Sequence, residues 1–567
     1  MQMFRNVLPC ALLATFMLPA VGVAQTAGSD ALVKTMIQPA NYDTLAALFS
    51  EWRAFEQPAI ESGVPDYSAA AMARKAVALP AYRARLKSID TSNWSRAAQN
   101  DYELVKAEMN GLDFMLRVLK PWARDPGFYQ TVFGDESDVP AHEGPSASPT
   151  IDLLKMRYPL SAADDRQLTI LIGGVPAMLM AAKTNLADSN AADLWRYGDR
   201  AFKEQSDVLA SLERGDLKMR TLEGERLATL SGASAGLRRA IKAAKLATDE
   251  FATWVAAQAL RKNGPSGVGK ANYDWYLANV SLTPYTWGQQ VVLLQRELDR
   301  SLASLRLEEL RNRKLPPMEA INDPAAYQQM ADARTEKFID FLIEARIILD
   351  KPYFKAALIA QTSRYVPPEN RNFFSHVTAL DPLPLLSHST HWVELARLKH
   401  EPHQSPIRRV APLFNIFADR SEGFATAMEE IVMQAGLYDD APRSKELVWI
   451  MLANRAARGL ASLRVQANEI DLAEAGKFHA AWTPRHWSNP ESPLVGFEQL
   501  LYLRQPGYGP SYIIGKLQLD QLLARASQKA DRENTRFDAS TSFQKIIESG
   551  ILPPELIAIE MPSKTVN

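Results

Sequence analysis

Cysteine is almost missing from this chain. Its 567 residues include one, Cys10, and that one lies in the N-terminal segment. A framework of disulfides is therefore excluded, and the fold must rest on its core. A surplus of charge of either sign is missing too: 64 basic residues face 65 acidic ones, for a formal net charge of -1. Nothing here would draw a phosphate backbone, so nucleic acid is not an expected partner. Strand signals are scarce, with no run of alternating β-branched residues. After the N-terminal segment no stretch reaches 18 uncharged apolar residues, so no membrane anchor is expected in the mature chain. Histidine is rare as well, and its distribution is uneven: five of the eight lie between His376 and His403.

The N-terminus reads MQMFRNVLPCALLATFMLPAVGVAQTAG. Arg5 gives a positive start, residues 7–20 an apolar stretch, and Gly22-Val23-Ala24 a small-residue cleavage site before Gln25. Residues 1–24 are read as a signal peptide, and the mature protein as periplasmic or secreted. Leu8-Pro9-Cys10 is too close to the start, and too poorly formed, for a lipoprotein signal. Cleavage then leaves a mature chain without cysteine.

With 47% hydrophobic residues the chain can bury a large core. Apolar residues recur at helical spacing nearly throughout. Leu45, Leu48, Phe49, Trp52 and Phe55 mark one helix over 41–57. Tyr102, Leu104, Met109, Leu112, Met115 and Leu116 mark another over 96–120. Residues 191–262, rich in Ala, Leu, Glu, Lys and Arg, predict two or three long helices. Further helices are expected over 289–311, 326–348, 445–470 and after the Pro/Gly turn at 505–510. The fold class is all-α, with long helices around a deep central cleft. An N-terminal helical region spans 25–264 and a C-terminal one, carrying the site, 265–567.

Residues 121–150 read as loop, with His142 and Glu143 side by side. Gly264 to Lys270 fits GxxxxGK, but Ala271 replaces the magnesium-binding hydroxyl and no strand precedes it, so a phosphate loop is rejected. The aromatic run Tyr273, Trp275, Tyr276, Tyr285 and Trp287 either packs a helix–loop junction or lines a cleft.

Asp381 to Gln434 is where chemistry is expected. A helix starting near Ser387 or Ser389, with serine as its cap, places His388, His391 and Leu395 on one face. Two imidazoles a turn apart can meet one metal ion, or equally form a hydrogen-bonded buried pair. A second helix carries Glu422 and, seven residues on, Glu429; a carboxylate there completes a three-ligand site with an open position. Arg455, Arg458, Ser462, Gln466 and Glu469 share an arc of the next helix, facing either solvent or a polar cleft. Tyr508 and Tyr512 stand at the start of the helix that follows.

GKANYDWYLANVSLTPYTW, THWVELARL, SEGFATAMEE, NRAARGL and QPGYGPSYIIGKL, in this order, resemble the bacterial domain of unknown function family 885, whose members look like exported, helical zinc metallopeptidases. The resemblance implies a helix with an HExxxGH motif and a downstream glutamate. It places the later histidine at His391, the downstream glutamate at Glu422 and a tyrosine at Tyr512. The motif is degenerate: its first histidine and its glutamate fall on Leu385 and Leu386, and a further family histidine falls on Gln466.

Three functions follow as expectations. In the first, zinc is held by His388, His391 and Glu422; Glu394 or Glu429 serves as base; and Tyr512 with Arg455 or Arg458 stabilises the oxyanion of a peptide or small amide. In the second, the Leu385-Leu386 replacement has ended the chemistry, and the cleft binds a peptide or small-molecule ligand. A metal-free enzyme, gripping a carboxylate with its arginines, is a third expectation.

Overall fold

The computed structural model describes residues 41–142 and 144–561, so the expected signal peptide and Glu143 lie outside the described residues. The class is all-α: helices follow one another from Tyr42–Glu56 to Pro554–Glu560, and the strands are short pairs. Many helices begin where the sequence supplies an acceptor. The Ser95, Ser161 and Ser234 side chains accept from the backbone N–H of Ala98, Asp164 and Leu237, satisfying donors left free by the first helical turn.

Two apolar clusters fill most of the interior. The larger joins Leu45, Trp52 and Leu112 from the first helices to Leu447, Ile513 and Ile557 from the last. The second is built between Tyr67 and Val255, around the helices Ala162–Asn185 and Ala235–Ala259. Ala162–Asn185 is long and apolar enough to cross a membrane by length and composition. Its Leu168, Ile172, Val175, Met178 and Leu179 are buried in this second cluster.

Residues 191–262 hold two long helices, as the composition predicts, and one departure from the helical reading. Between the helices Arg200–Arg214 and Ala235–Ala259 runs an antiparallel hairpin, Leu217–Thr221 with Gly224–Ala228. Leu217, Met219 and Thr221 point inward while Lys218 and Arg220 point out. Its residues are good helix formers, and the tertiary environment overrides that preference.

Three helices frame the site: Ala418–Gln434, Ser444–Gln466 and Tyr508–Arg532. The first and third cross with backbones in contact. A Cβ at Gly423 would overlap Gly515, and one at Gly515 would overlap the Asp419 carbonyl. Only glycine at both positions permits this approach. It brings Glu422 against Tyr508 and Tyr512. Ser444–Gln466 is buried on nearly every side, so its polar stripe does not face solvent.

Candidate metal centre

The histidine segment is helical earlier than its serines indicate. Leu383–Leu386 is already a helical turn, Ser387–Thr390 a tighter 3-10 turn, and His391–His400 an α-helix. Neither Ser387 nor Ser389 is an N-cap. The Asp381 carboxylate accepts from Leu383 N–H at 3.0 Å and starts the segment instead. Helical backbone through Ser387 still sets His388 and His391 edge to face, with ring centroids 4.5 Å apart.

Across from them stands the helix Ala418–Gln434. His388, His391 and Glu422 each turn one donor atom to a common point, all within 4.8 Å of one another. Glu422 Oε2 lies 3.4 Å from His388 Nε2 and 3.6 Å from His391 Nε2. His391 and Glu422 are buried, His391 only 3% exposed, and His388 is half-buried. Glu422 Oε2 and both His391 nitrogens have no hydrogen-bond partner among the described residues. Leaving such atoms unmatched costs roughly 1–3 kcal/mol each, a cost that a cation at the common point would remove for Glu422 Oε2 and His391 Nε2. Two imidazoles and a carboxylate are also the donor set of a three-ligand zinc site. The residues therefore fit a metal ion.

The surrounding groups hold the donors in place. Tyr508 donates its hydroxyl to Glu422 Oε1 at 2.5 Å, leaving Oε2 for the cluster. Glu429 Oε1 lies 2.9 Å from His388 Nδ1, at the edge of the ring opposite Nε2. Arg455 grips Glu429 with both terminal nitrogens, at 2.9 and 2.6 Å. Burial opposes ionisation of Glu422, yet the two adjoining imidazoles and the Tyr508 hydroxyl hold its carboxyl down to about 2. Burial and the Arg455 charge push His388 down, but Glu422 and Glu429 outweigh them and raise it. Burial keeps His391 below its ordinary value, favouring the neutral form that ligates metals.

The cluster opens into a cavity of about 370 Å³. Arg455, Arg458 and Tyr512 line it, together with Leu385 and Leu386. Arg458 is paired with Glu498 and lies 4.3 Å from the centre of the Tyr512 ring. Burial pushes the Tyr512 phenol well above its ordinary value, so its hydroxyl stays a donor.

No protein-family model matches the chain, and no curated protein is similar to it in sequence. Solved structures share its fold. A putative lipoprotein of unknown function from Shewanella oneidensis superposes with a TM-score of 0.65 at 13% identity, covering 92% of this chain and 100% of that one. A putative lipoprotein from Colwellia psychrerythraea gives 0.64 at 12% identity, covering 92% and 99%. At these identities the likeness shows the fold alone.

The structure brings His388, His391, Glu422, Tyr512, Arg455 and Arg458 to one place. It does not bring Glu394 there. That carboxylate is buried in an ion pair with Arg420, which also donates to Ile546 O, and is not among the residues lining the cavity. Arg420 sits two residues before Glu422, on another face of the same helix, and captures Glu394 there. Glu469 lies beyond the end of its helix and is exposed. Gln466 is committed to backbone, donating to Tyr502 O and Leu503 O. The aromatic run is packing for this site: none of its five rings lines the cavity. His142 pairs with Asp152.

The sequence reading missed Asp138 and Arg220, which line the same cavity. Three bonds fasten the Asp138 loop to the unforeseen hairpin. Arg220 N–H donates to Asp135 Oδ1, Glu136 N–H to Arg220 O, and Leu222 N–H to Glu136 Oε2. The Asp138 carboxylate has no hydrogen bond or ion pair among the described residues. No local sequence signal marks it.

Proposed function

We propose that this protein is an exported metal-dependent hydrolase acting on peptide or small amide substrates. One observation carries the reading: donor atoms of His388, His391 and Glu422, with Glu422 Oε2 and His391 Nε2 buried and unmatched, converge within 4.8 Å at the wall of a cavity lined by Arg455, Arg458 and Tyr512. The resemblance to family 885 supports it, as does the N-terminal leader. The description of two structural neighbours as lipoproteins agrees with export.

Zinc at this point would polarise the scissile carbonyl. His388, His391 and Glu422 would hold it. Glu429 and Arg455 would keep the His388 ring in its tautomer, and Tyr508 would fix the Glu422 rotamer. Asp138, the cavity carboxylate left unpaired, takes the proton of the attacking water as its oxygen bonds to the carbonyl carbon. The C–N bond then breaks, and the proton passes to the leaving amine. Tyr512 donates to the oxyanion. Arg455 and Arg458 are occupied by Glu429 and Glu498, so they act by positioning and by charge.

A second reading keeps the cavity without the chemistry. It rests on Leu385 and Leu386, which line the cavity where the family motif has histidine and glutamate. Elemental analysis of the purified mature protein beside His391→Ala, with an amide-hydrolysis screen, separates the two. About one equivalent of zinc, lost in the variant, with turnover stopped by a chelator and restored by zinc, supports the hydrolase. Zinc without turnover supports the binding protein. No zinc in either protein after zinc is added back overturns the metal site.

A further inference from the structure

The charged groups facing the cavity are not equally committed. Arg455 is held by Glu429 and Arg458 by Glu498, both buried pairs. Arg220 is different. It is exposed on the strand Leu217–Thr221, lines the cavity, and forms no ion pair among the described residues. Its guanidinium lies over the face of Trp392, 5.4 Å from the ring centre. Trp392 is buried, lines the cavity and follows the proposed ligand His391 directly. A guanidinium seated on an indole keeps its planar N–H fork free at the edge, and that fork matches a carboxylate.

The wider balance points the same way. Arg220, Arg455 and Arg458 face Asp138, Glu422 and Glu498 around the cavity, with Glu429 directly behind His388. A divalent ion on the donors turns this near balance positive and favours an anionic ligand. The size of the cavity, about 370 Å³, lies near the lower end of the roughly 300–1,000 Å³ typical of small-molecule sites. That suits a compact ligand better than a long chain.

We infer that the site takes short substrates ending in a free carboxylate, which Arg220 grips on its Trp392 platform. This deepens the hydrolase reading and rests on it for the word substrate. The grip itself needs no turnover, so binding tests it separately.

The probe is N-acetyl-Ala-Ala as the free acid and as its C-terminal amide, titrated calorimetrically into the zinc-loaded protein, into Arg220→Ala and Arg220→Lys, and into metal-stripped protein. The expected result is acid preferred over amide by about tenfold or more in the parent protein. Arg220→Ala should remove this preference by weakening the acid alone, and Arg220→Lys should keep part of it. Unchanged zinc content in the variants shows that the neighbouring site is intact. Equal binding of acid and amide by the parent protein, a preference that survives in Arg220→Ala, or no binding of either probe at millimolar concentration overturns the inference. A preference that depends on Arg220 in a protein without hydrolytic activity leaves the grip standing and removes only the hydrolase reading.

Discussion

Glu429 Oε1 stands 2.9 Å from His388 Nδ1, two helical turns beyond the Glu422 that approaches the opposite nitrogen of the same ring at 3.4 Å. One helix thus holds both edges of one imidazole. In the proposed metal site the inner carboxylate would be a ligand, and the outer one would favour the proton on His388 Nδ1.

Glu429→Gln tests that division. The amide keeps the shape and loses the charge. Zinc affinity is expected to fall about 10–100-fold, as for other carboxylates supporting a metal-bound histidine, with the fold retained. Competition against a zinc-binding dye reads the change. An affinity equal to the parent's would place Glu429 outside the metal site.

Asp138→Asn separates holding the metal from using it. Zinc content should be unchanged, and hydrolysis should drop by roughly 10²–10⁴, the usual contribution of a positioned proton acceptor. Elemental analysis and initial rates on one preparation decide it. A variant that loses zinc along with activity would make Asp138 a ligand.

Gly515→Ala tests the helix crossing beneath the site. A methyl group there meets the Asp419 carbonyl, which is backbone and cannot swing aside. The variant should lose roughly 3 kcal/mol of stability and bind zinc more weakly, because Glu422 moves with its helix. Urea unfolding and zinc titration measure the two effects. Unaltered values for both would show that the helices can part without cost.

Asp419 gives the pH dependence a sign. Burial raises its carboxyl from 3.8 to about 7, against a hydrogen bond from Thr283 that lowers it. The folded state therefore holds this proton more tightly than the unfolded chain. Its contribution to stability is complete below the unfolded value and is lost as pH rises through about 7. Asp419→Asn should be more stable than the parent at pH 8, by roughly 2–4 kcal/mol, and the difference should shrink toward pH 4. Denaturant midpoints across this range are the measurement. A gap that widens on acidification would reverse the assignment.

Much of the architecture was legible because helix periodicity is a local signal. The spacing that marked Leu45, Leu48, Phe49 and Trp52 marks residues that are all buried. The histidine and glutamate faces were legible for the same reason, since offsets of three and seven hold whatever the neighbours do. What failed was whatever depends on a partner distant in sequence. Glu394 has suitable spacing, but Arg420 claims it. Asp138 and Arg220 reach the cavity through a loop docked on a hairpin, and no periodicity records that docking. The hairpin's own residues favour helix, and the alternation of Leu217, Lys218, Met219 and Arg220 is too short, and too poor in β-branched residues, to stand out.

The contact of Gly423 with Gly515 has one more consequence. Side chains drift readily under mutation, and a helix cushioned by them drifts too. Here main chain rests on main chain one residue from Glu422. The distance between that carboxylate and Tyr508 is therefore set by a fixed stop. A substitution in the surrounding core can bring the two helices closer here only by forcing main chain into main chain.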